Sequence, residues 1–290
     1  MNKHIIKYIN LIFIVILVFG LFSCDQETTV DLGDPVERLV VEGRIELVEG
    51  VEDHRHEITL SRIGDFFQYQ ETPRAAGAEV WVTNVAGDRF DYLEEEQGYY
   101  INSDLSPQVN ETYVLHIIWE GQEFEATETL IGVPSIDDIY QQFEEGNLFE
   151  DEGIKIAIDF TDPAGEDNYY FWETFLDGEL QILPDPGNKN NLIAEDEFFD
   201  GNQIEGYFPN EEAVFDPGNE VLVRQIGLSE NAYIYYFTLF DQAGKTGALI
   251  DTPPIPVRGN IRNITNPNNY ALGYFFASEV AEAVHIVEEL

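Results

Sequence analysis

The residue with the clearest chemistry is Cys24, the only cysteine of the chain. It ends an uncharged apolar run, residues 11–24, that follows a short basic start containing Lys3 and Lys7. Small or apolar residues directly before a lone cysteine are what a bacterial lipoprotein signal peptidase reads, and the thiol of that cysteine then carries the lipid. We therefore predict a signal peptide over residues 1–23 and a lipid anchor on Cys24.

Two other kinds of leader fit this segment less well. An ordinary secretory signal ends at a small-x-small cleavage site rather than at a cysteine. A membrane-spanning helix needs about 20 apolar residues, whereas the apolar run over 9–22 is shorter and is interrupted by Asn10 and Gly20. As the only cysteine, Cys24 has no partner for an intramolecular disulfide. The predicted lipid would also occupy its thiol, which excludes thiol catalysis and a cysteine-bound zinc.

A second chemical feature is the acidic segment EDEFFDGN, which contains Asp196, Asp200 and Asn202. Carboxylate and amide oxygens beside a turn-forming glycine suit Ca²⁺, and these three residues are the candidate ligands. The spacing differs from that of the EF-hand loop, which places oxygens at alternate positions before its glycine. The competing interpretation is an acidic loop that Phe198 and Phe199 anchor to the fold. Calcium is the one cofactor that the sequence suggests.

Two histidines are weaker candidates for metal ligands than the acidic segment. His54 and His56 alternate along a predicted strand, which would place both imidazoles on one face, as a metal site could use. The sequence offers no third ligand nearby beyond the acids Glu52, Asp53 and Glu57. We therefore favour a solvated strand entrance over a metal site for this pair. His116 lies in an apolar strand and is expected in the core or at an interface. We find no nucleophile elbow, zinc-protease helix or Walker loop, so no residue is predicted to be catalytic.

The net charge of the chain limits the classes of partner that we expect it to bind. It has 14 Lys and Arg residues against 56 Asp and Glu residues, for a net charge of −42. Removal of the leader takes away Lys3 and Lys7 and no acid, which leaves 12 basic against 56 acidic side chains, or −44. Such a field repels nucleic acid and anionic lipid headgroups. We therefore expect no nucleic-acid partner, and we assign the charge to solubility or, alternatively, to cation binding.

The pattern of the mature chain predicts an all-β fold with a minor α component. After residues 1–23 are removed, 267 remain, which suits two domains of about 100 to 150 residues each. An acidic tether over 24–37 precedes a domain over 38–132, in which about seven short alternating strands predict a β-sandwich. Their order resembles transthyretin-like or immunoglobulin-like sandwiches. Residues 133–290 are predicted to form a second β-rich domain.

One short helix is predicted in the second domain, over residues 228–241, with Ser229 as its N-cap. Four aromatic side chains recur at helical spacing on one face, which favours a core contact over a sugar-stacking platform: Tyr233, Tyr236, Phe237 and Phe240. Beyond the helix, an apolar segment over 270–278 and a last strand over 283–287 are expected to complete the sheet.

Several segments occur in an order that resembles a known family, namely the cysteine of the leader and then RLVVEGRI, GAEVWVTN, ETYVLHIIWEGQEFEATETL, IDFTDPAGEDNYYFW and NNYALGYFFAS. The chain resembles the Bacteroidota lipoproteins that carry domain of unknown function 4249. The acids Asp25 and Glu27, just after Cys24, also resemble the surface-export signal of such lipoproteins. The resemblance implies a lipid-anchored protein of the outer membrane, exposed at the cell surface, with a TonB-dependent receptor as its partner. It brings no catalytic residues.

We therefore expect an accessory or binding partner of a TonB-dependent outer-membrane receptor that acts in nutrient uptake. Two alternatives stay open on the sequence. One is a lipid-anchored carbohydrate hydrolase that uses a pair of carboxylates assembled across loops. The other is an adhesive surface module whose loops are stiffened by calcium.

Overall fold

The strands of this protein follow the alternating segments of its sequence. The computed structural model describes residues 37–51, 54–63, 72–146, 152–181, 192–243 and 257–289. The predicted signal peptide 1–23, Cys24 and all of the predicted tether except Glu37 lie outside these residues. The strands are β1 Leu39–Val48, β2 His56–Arg62, β3 Glu79–Asn84, β4 Arg89–Glu96, β5 Tyr99–Asn102, β6 Thr112–Trp119, β7 Gln122–Thr129, β8 Ile136–Glu144, β9 Gly153–Thr161, β10 Tyr169–Leu176, β11 Glu179–Leu180, β12 Ile193–Glu195, β13 Gln203–Tyr207, β14 Glu220–Leu228, β15 Arg262–Asn263 and β16 Leu272–Ile286.

Most of the described strands belong to one large mixed sheet. Thirteen of them join in the order β11-β10-β14-β16-β1-β2-β5-β4-β3-β6-β7-β15, with β12 paired to β10. The pair β1–β16 is parallel, and the pairs on either side of it are antiparallel. The other three strands form a second sheet in the order β13-β9-β8. The prediction of an all-β fold with minor helix is confirmed.

A first core lies where the large sheet packs against itself, with β1, β2 and β5 facing β3, β6 and β7. Alternation along β1 turns Val41 and Ile45 into this core, where both are fully buried. Gly43 lies between them, and a Cβ atom there would come within 3.0 Å of the Phe275 ring, so a larger residue would force that ring to shift. The first half of the chain thus has the two-layer packing of a sandwich.

Strand β16 connects the two halves of the sequence. It is one strand of 15 residues, although the sequence predicted two separate segments over 270–278 and 283–287. Its first part pairs in parallel with β1, and its second part pairs with β14. All described residues belong to a single compact unit, Val36–Leu290. The two predicted domains, 38–132 and 133–290, therefore share one sheet.

The part of the sheet formed by β10, β14 and β16 is covered on both faces. Tyr170 and Trp172 of β10 pack toward the sheet β13-β9-β8, in a cluster with Phe160. Phe171, which alternates with them, packs on the opposite face together with Phe276. This second face carries the helix and the cavities described below.

Helix α1, Glu230–Ala243, covers that face. It begins where predicted, because Ser229 Oγ accepts a hydrogen bond from the Ala232 N–H at 3.2 Å. The rings of Tyr236 and Phe240 contact Phe171, with centroids 5.1 and 6.1 Å away, as expected for an aromatic stripe in the core. Phe237 is the exception, since 37% of its surface is exposed. Within the described ranges, no helix has both the length and the apolar character that a membrane span needs.

Candidate functional site

The predicted acidic segment lies at a turn that also receives an aspartate from a distant strand end. Asp196 begins the short 3-10 helix Asp196–Phe198, and Asp200 follows it. Asp162 comes directly after β9. One carboxylate oxygen from each of these three residues lies within 4.8 Å of the others. Asp196 and Asp200 were predicted as ligands from the sequence, but Asp162 was not. Its place in the predicted turn Thr-Asp-Pro-Ala-Gly was the one feature of the sequence that could have pointed to it.

Backbone N–H groups hold the three carboxylates in place. The bonds are Gly201 N–H to Asp162 Oδ2 at 2.9 Å, Gly165 N–H to Asp200 Oδ1 at 2.7 Å and Asn168 N–H to Asp196 Oδ2 at 3.0 Å. The Tyr170 hydroxyl also donates to Asp162 Oδ1. Each carboxylate oxygen can accept a second bond, so the arrangement still offers lone pairs to a cation.

The turn requires a glycine at position 201. Its φ is +71°, and a Cβ atom there would lie 2.7 Å from the Cβ of Ala164. Asn202, the third predicted ligand, donates weakly to the carbonyl of Asp200 at 3.4 Å. Phe199 anchors the turn through Phe160 and Tyr170, at centroid distances of 6.3 and 6.1 Å.

Phe198 does not anchor the turn. Its side chain is 88% exposed, which corrects the part of the loop interpretation that gave it this role. The physical reason is the 3-10 turn, in which Phe198 and Phe199 point in different directions.

The electrostatics of the turn favour a bound cation. Burial raises the pKa of Asp196, and the negative charges of Asp162 and Asp200 raise it further, whereas the hydrogen bond from Asn168 lowers it. A divalent ion would relieve this repulsion between carboxylates. The calcium prediction for Asp196, Asp200 and Asn202 stays a prediction, now with Asp162 as a further candidate ligand.

The histidines take part in ordinary structural contacts. His54 and His56 stack with ring centroids 5.8 Å apart. His56 is buried, with Nε2 at 3.1 Å from the Leu105 carbonyl and Nδ1 accepting the Glu46 N–H at 3.4 Å. Both of its ring nitrogens are therefore occupied. His116 stacks on Trp81 at 5.0 Å.

A network of charged side chains crosses the sheet on the face that carries α1. Arg224 bonds to Glu46 at 2.6 Å, to Glu173 at 2.8 Å and to Glu282 at 2.9 Å. Arg44 bonds to Glu173 at 2.6 Å. These residues come from β1, β10, β14 and β16, and sequence reasoning did not single them out.

Beside this network, a cavity of about 360 Å³ opens between α1 and the sheet. Its floor is formed by β1, β2 and β16, and its wall by one face of the helix. The lining residues are Glu42, Gly43, Arg44, Glu46, Arg55, Glu57, Thr59, Tyr235, Tyr236, Leu239, Tyr274 and Phe276.

A second cavity, of about 330 Å³, shares Tyr235 and Tyr274 with the first. Glu128 lines it and is only 8% exposed. Its carboxylate accepts the Tyr274 hydroxyl at 2.8 Å and the Thr129 N–H at 3.1 Å. Burial raises the pKa of Glu128, although these two hydrogen bonds lower it. The helix and the sheet thus enclose two adjoining spaces that a small ligand could enter.

Comparison with known proteins identifies a family. The model of the domain of unknown function DUF4249 matches residues 25–283. The chain belongs to the DUF4249 family. The resemblance that its sequence suggested is thereby confirmed for the domain. None of the curated proteins compared with this DUF4249 chain matches it significantly.

Proposed function

We propose that this DUF4249 protein is a lipid-anchored protein of the bacterial outer membrane that assists a TonB-dependent receptor in nutrient uptake. It acts by binding, through surfaces and cavities of the fold, and it is held at the membrane by Cys24.

The observation that carries the proposal is the position of Cys24 relative to the family domain. The match to the family begins at residue 25, directly after the cysteine that ends the apolar run 11–24. The leader and the region that the family model matches therefore meet at the residue that a lipoprotein signal peptidase would make the new N-terminus. Acylation there would keep the whole domain at the membrane surface, where a receptor lies within reach.

The spaces beneath α1 support a role in binding. Both are lined by polar and aromatic side chains, and they lie on a sheet in which β16 pairs with β1 from the first half of the chain and with β14 from the second half. Sites of this kind, with an aromatic lining and a few charged groups, are typical of small-ligand binding.

The three-aspartate turn favours one second candidate, a surface module whose loops are stiffened by a divalent cation. The supporting observation is the 4.8 Å grouping of Asp162, Asp196 and Asp200. The two candidates are compatible, because a cation at that turn would leave the cavities beneath α1 free.

The proposal is tested in the native bacterium with an in-frame deletion of the gene. We expect receptor-dependent nutrient uptake to fall and to be restored by the wild-type chain but not by Cys24→Ala, which also leaves the membrane fraction. Uptake that is unchanged by the deletion would count against the receptor role. A Cys24→Ala chain that remains in the outer membrane and still takes up labelled palmitate would count against the anchor.

A further inference from the structure

The cavity between α1 and the sheet has a floor whose residues are fixed by strand register. Glu42 of β1 lies opposite Thr59 of β2, and Arg44 lies opposite Glu57. On the other side, Glu42 is aligned with Tyr274 of β16. These alternate positions of β1 and β2 share one face of the sheet, so both glutamates line the same cavity.

The two arginines that line the cavity form ion pairs with carboxylates other than Glu42 and Glu57. Arg44 faces Glu57 across the strands, yet its guanidinium lies over the Phe276 ring at 5.1 Å and bonds to Glu173 at 2.6 Å. Arg55 bonds instead to Glu95, at 2.9 Å. Arg44 therefore does not form the ion pair with Glu57 that the strand register would lead one to expect.

Two carboxylates in the lining have no ion pair with any residue that the structure describes. The only hydrogen bond to the Glu57 side chain from another described residue comes from the Thr59 hydroxyl, at 3.1 Å. Glu42 has no salt bridge to any Lys or Arg within the described residues. The arginines of the lining are paired with Glu46, Glu95 and Glu173, so the free charge of the cavity is negative.

The helix contributes an aromatic wall above these carboxylates. Tyr235 packs on Tyr274 with centroids 4.9 Å apart, and Tyr236 packs on Phe276 at 5.9 Å, which fixes the rings in place. Tyr235 and Tyr236 are only partly buried, and both line the cavity. Aromatic faces attract ammonium groups, and more strongly where water is excluded. The net charge of −42 further concentrates cations around the molecule.

From this arrangement, we infer that the cavity binds a linear organic cation with an amino group at each end. Glu42 and Glu57 are diagonal neighbours on paired strands, which places their Cα atoms about 7 to 8 Å apart. A diamine of pentane length spans that separation, with one ammonium group on each carboxylate and its methylene chain along the tyrosine rings. A cavity of about 360 Å³ accommodates such a molecule.

The test uses three probes of equal length that differ only in charge: pentane-1,5-diamine, pentane-1,5-diol and pentanedioate. Their binding to the full chain, purified from membranes in a neutral detergent, is measured by calorimetry at low salt. We expect the diamine to bind at least tenfold more tightly than the diol, and added salt to weaken it. Equal affinity of diamine and diol would overturn the inference. Tighter binding of pentanedioate would overturn it as well, and would assign the cavity to an anion at Arg44.

Variants then locate the site. Glu42→Gln with Glu57→Gln should weaken diamine binding at least tenfold, and Tyr235→Leu should weaken it severalfold. The matched control is Glu96→Gln with Glu123→Gln, which removes two exposed charges from other strands. Melting temperatures show that each variant is folded. If the control weakens binding as much as the cavity variant, the diamine responds only to the overall charge, and the inference fails. The outcome is independent of the receptor role.

Discussion

Replacing Arg224 with methionine should destabilise the protein far more than removing an exposed arginine. The side chain of Arg224 is 12% exposed, and its guanidinium bonds to three carboxylates, on Glu46, Glu173 and Glu282. The side chain of Glu173 is only 2% exposed. Methionine keeps most of the apolar volume of the side chain, so the variant isolates the loss of the charge.

The expected cost follows from the burial of Glu173. Removing one partner of a buried ion pair typically costs about 3–5 kcal/mol, because the remaining charge lies buried without compensation. Arg44 still pairs with Glu173 at 2.6 Å, so we expect the lower end, about 3 kcal/mol. For a chain of this size, that loss lowers the melting temperature by roughly 6 to 12 °C.

The assay is urea unfolding followed by tryptophan fluorescence, since Trp172 lies beside Glu173 in β10. The matched control is Arg55→Met, because Arg55 is 57% exposed and pairs with the exposed Glu95. Exposed pairs contribute about 0–1 kcal/mol. Adding Glu173→Gln to Arg224→Met should recover part of the loss. If Arg224→Met and Arg55→Met differ by less than about 1 kcal/mol, the network is not a buried one and the reasoning is refuted.

Three further outcomes are expected. Calcium should raise the melting temperature of the wild type, and EDTA should lower it, but neither should affect Asp196→Asn; an identical calcium response in both proteins would refute the cation site. Burial lowers the pKa of His56, so as the pH falls the unfolded chain takes up the proton first, and the protein loses stability below about pH 6.5. Urea unfolding at pH 7.5 and 5.5 should therefore show a smaller loss of stability for His56→Gln than for the wild type. Equal losses in the two proteins would contradict this. Ser229→Ala should cost about 1 kcal/mol in the same assay by removing the cap of α1, whereas no change would show that the cap does not contribute.

The strands and the helix were predictable because their signals are local. Alternation along β1 marks Val41 and Ile45 as core residues, and the structure buries both. Ser229 before an apolar run marks the start of α1, and its hydroxyl makes the expected bond to Ala232. In each case, the residues within one turn or one strand are enough to predict the element.

The continuity of β16 was not predictable in the same way. Its length is set by partners on both sides, β1 over the first part and β14 over the second, and these lie far away in the sequence. The polar stretch around Ser278 and Glu279 therefore looks like an interruption in the sequence, although the Ser278 hydroxyl donates to the buried Gly227 carbonyl in the structure.

The same limit applies to the candidate sites. Asp162 meets Asp196 and Asp200 only because β9 ends beside the 3-10 turn, and the sequence offers no measure of that distance. Within the described residues, Glu57 has no ion pair because Arg44, which lies opposite it in the strand register, turns toward Glu173, a residue 129 positions later. Local composition identifies such charges but does not identify their partners.

The proposed function depends most directly on a physical association with a receptor. The measurement is quantitative mass spectrometry of proteins that co-purify with the full chain from chemically crosslinked, solubilised outer membranes, with Cys24→Ala as the control. We predict that one TonB-dependent receptor is recovered in near-stoichiometric amount with the wild type and is lost with Cys24→Ala. Recovery of no such receptor with the membrane-anchored wild-type chain would contradict the account.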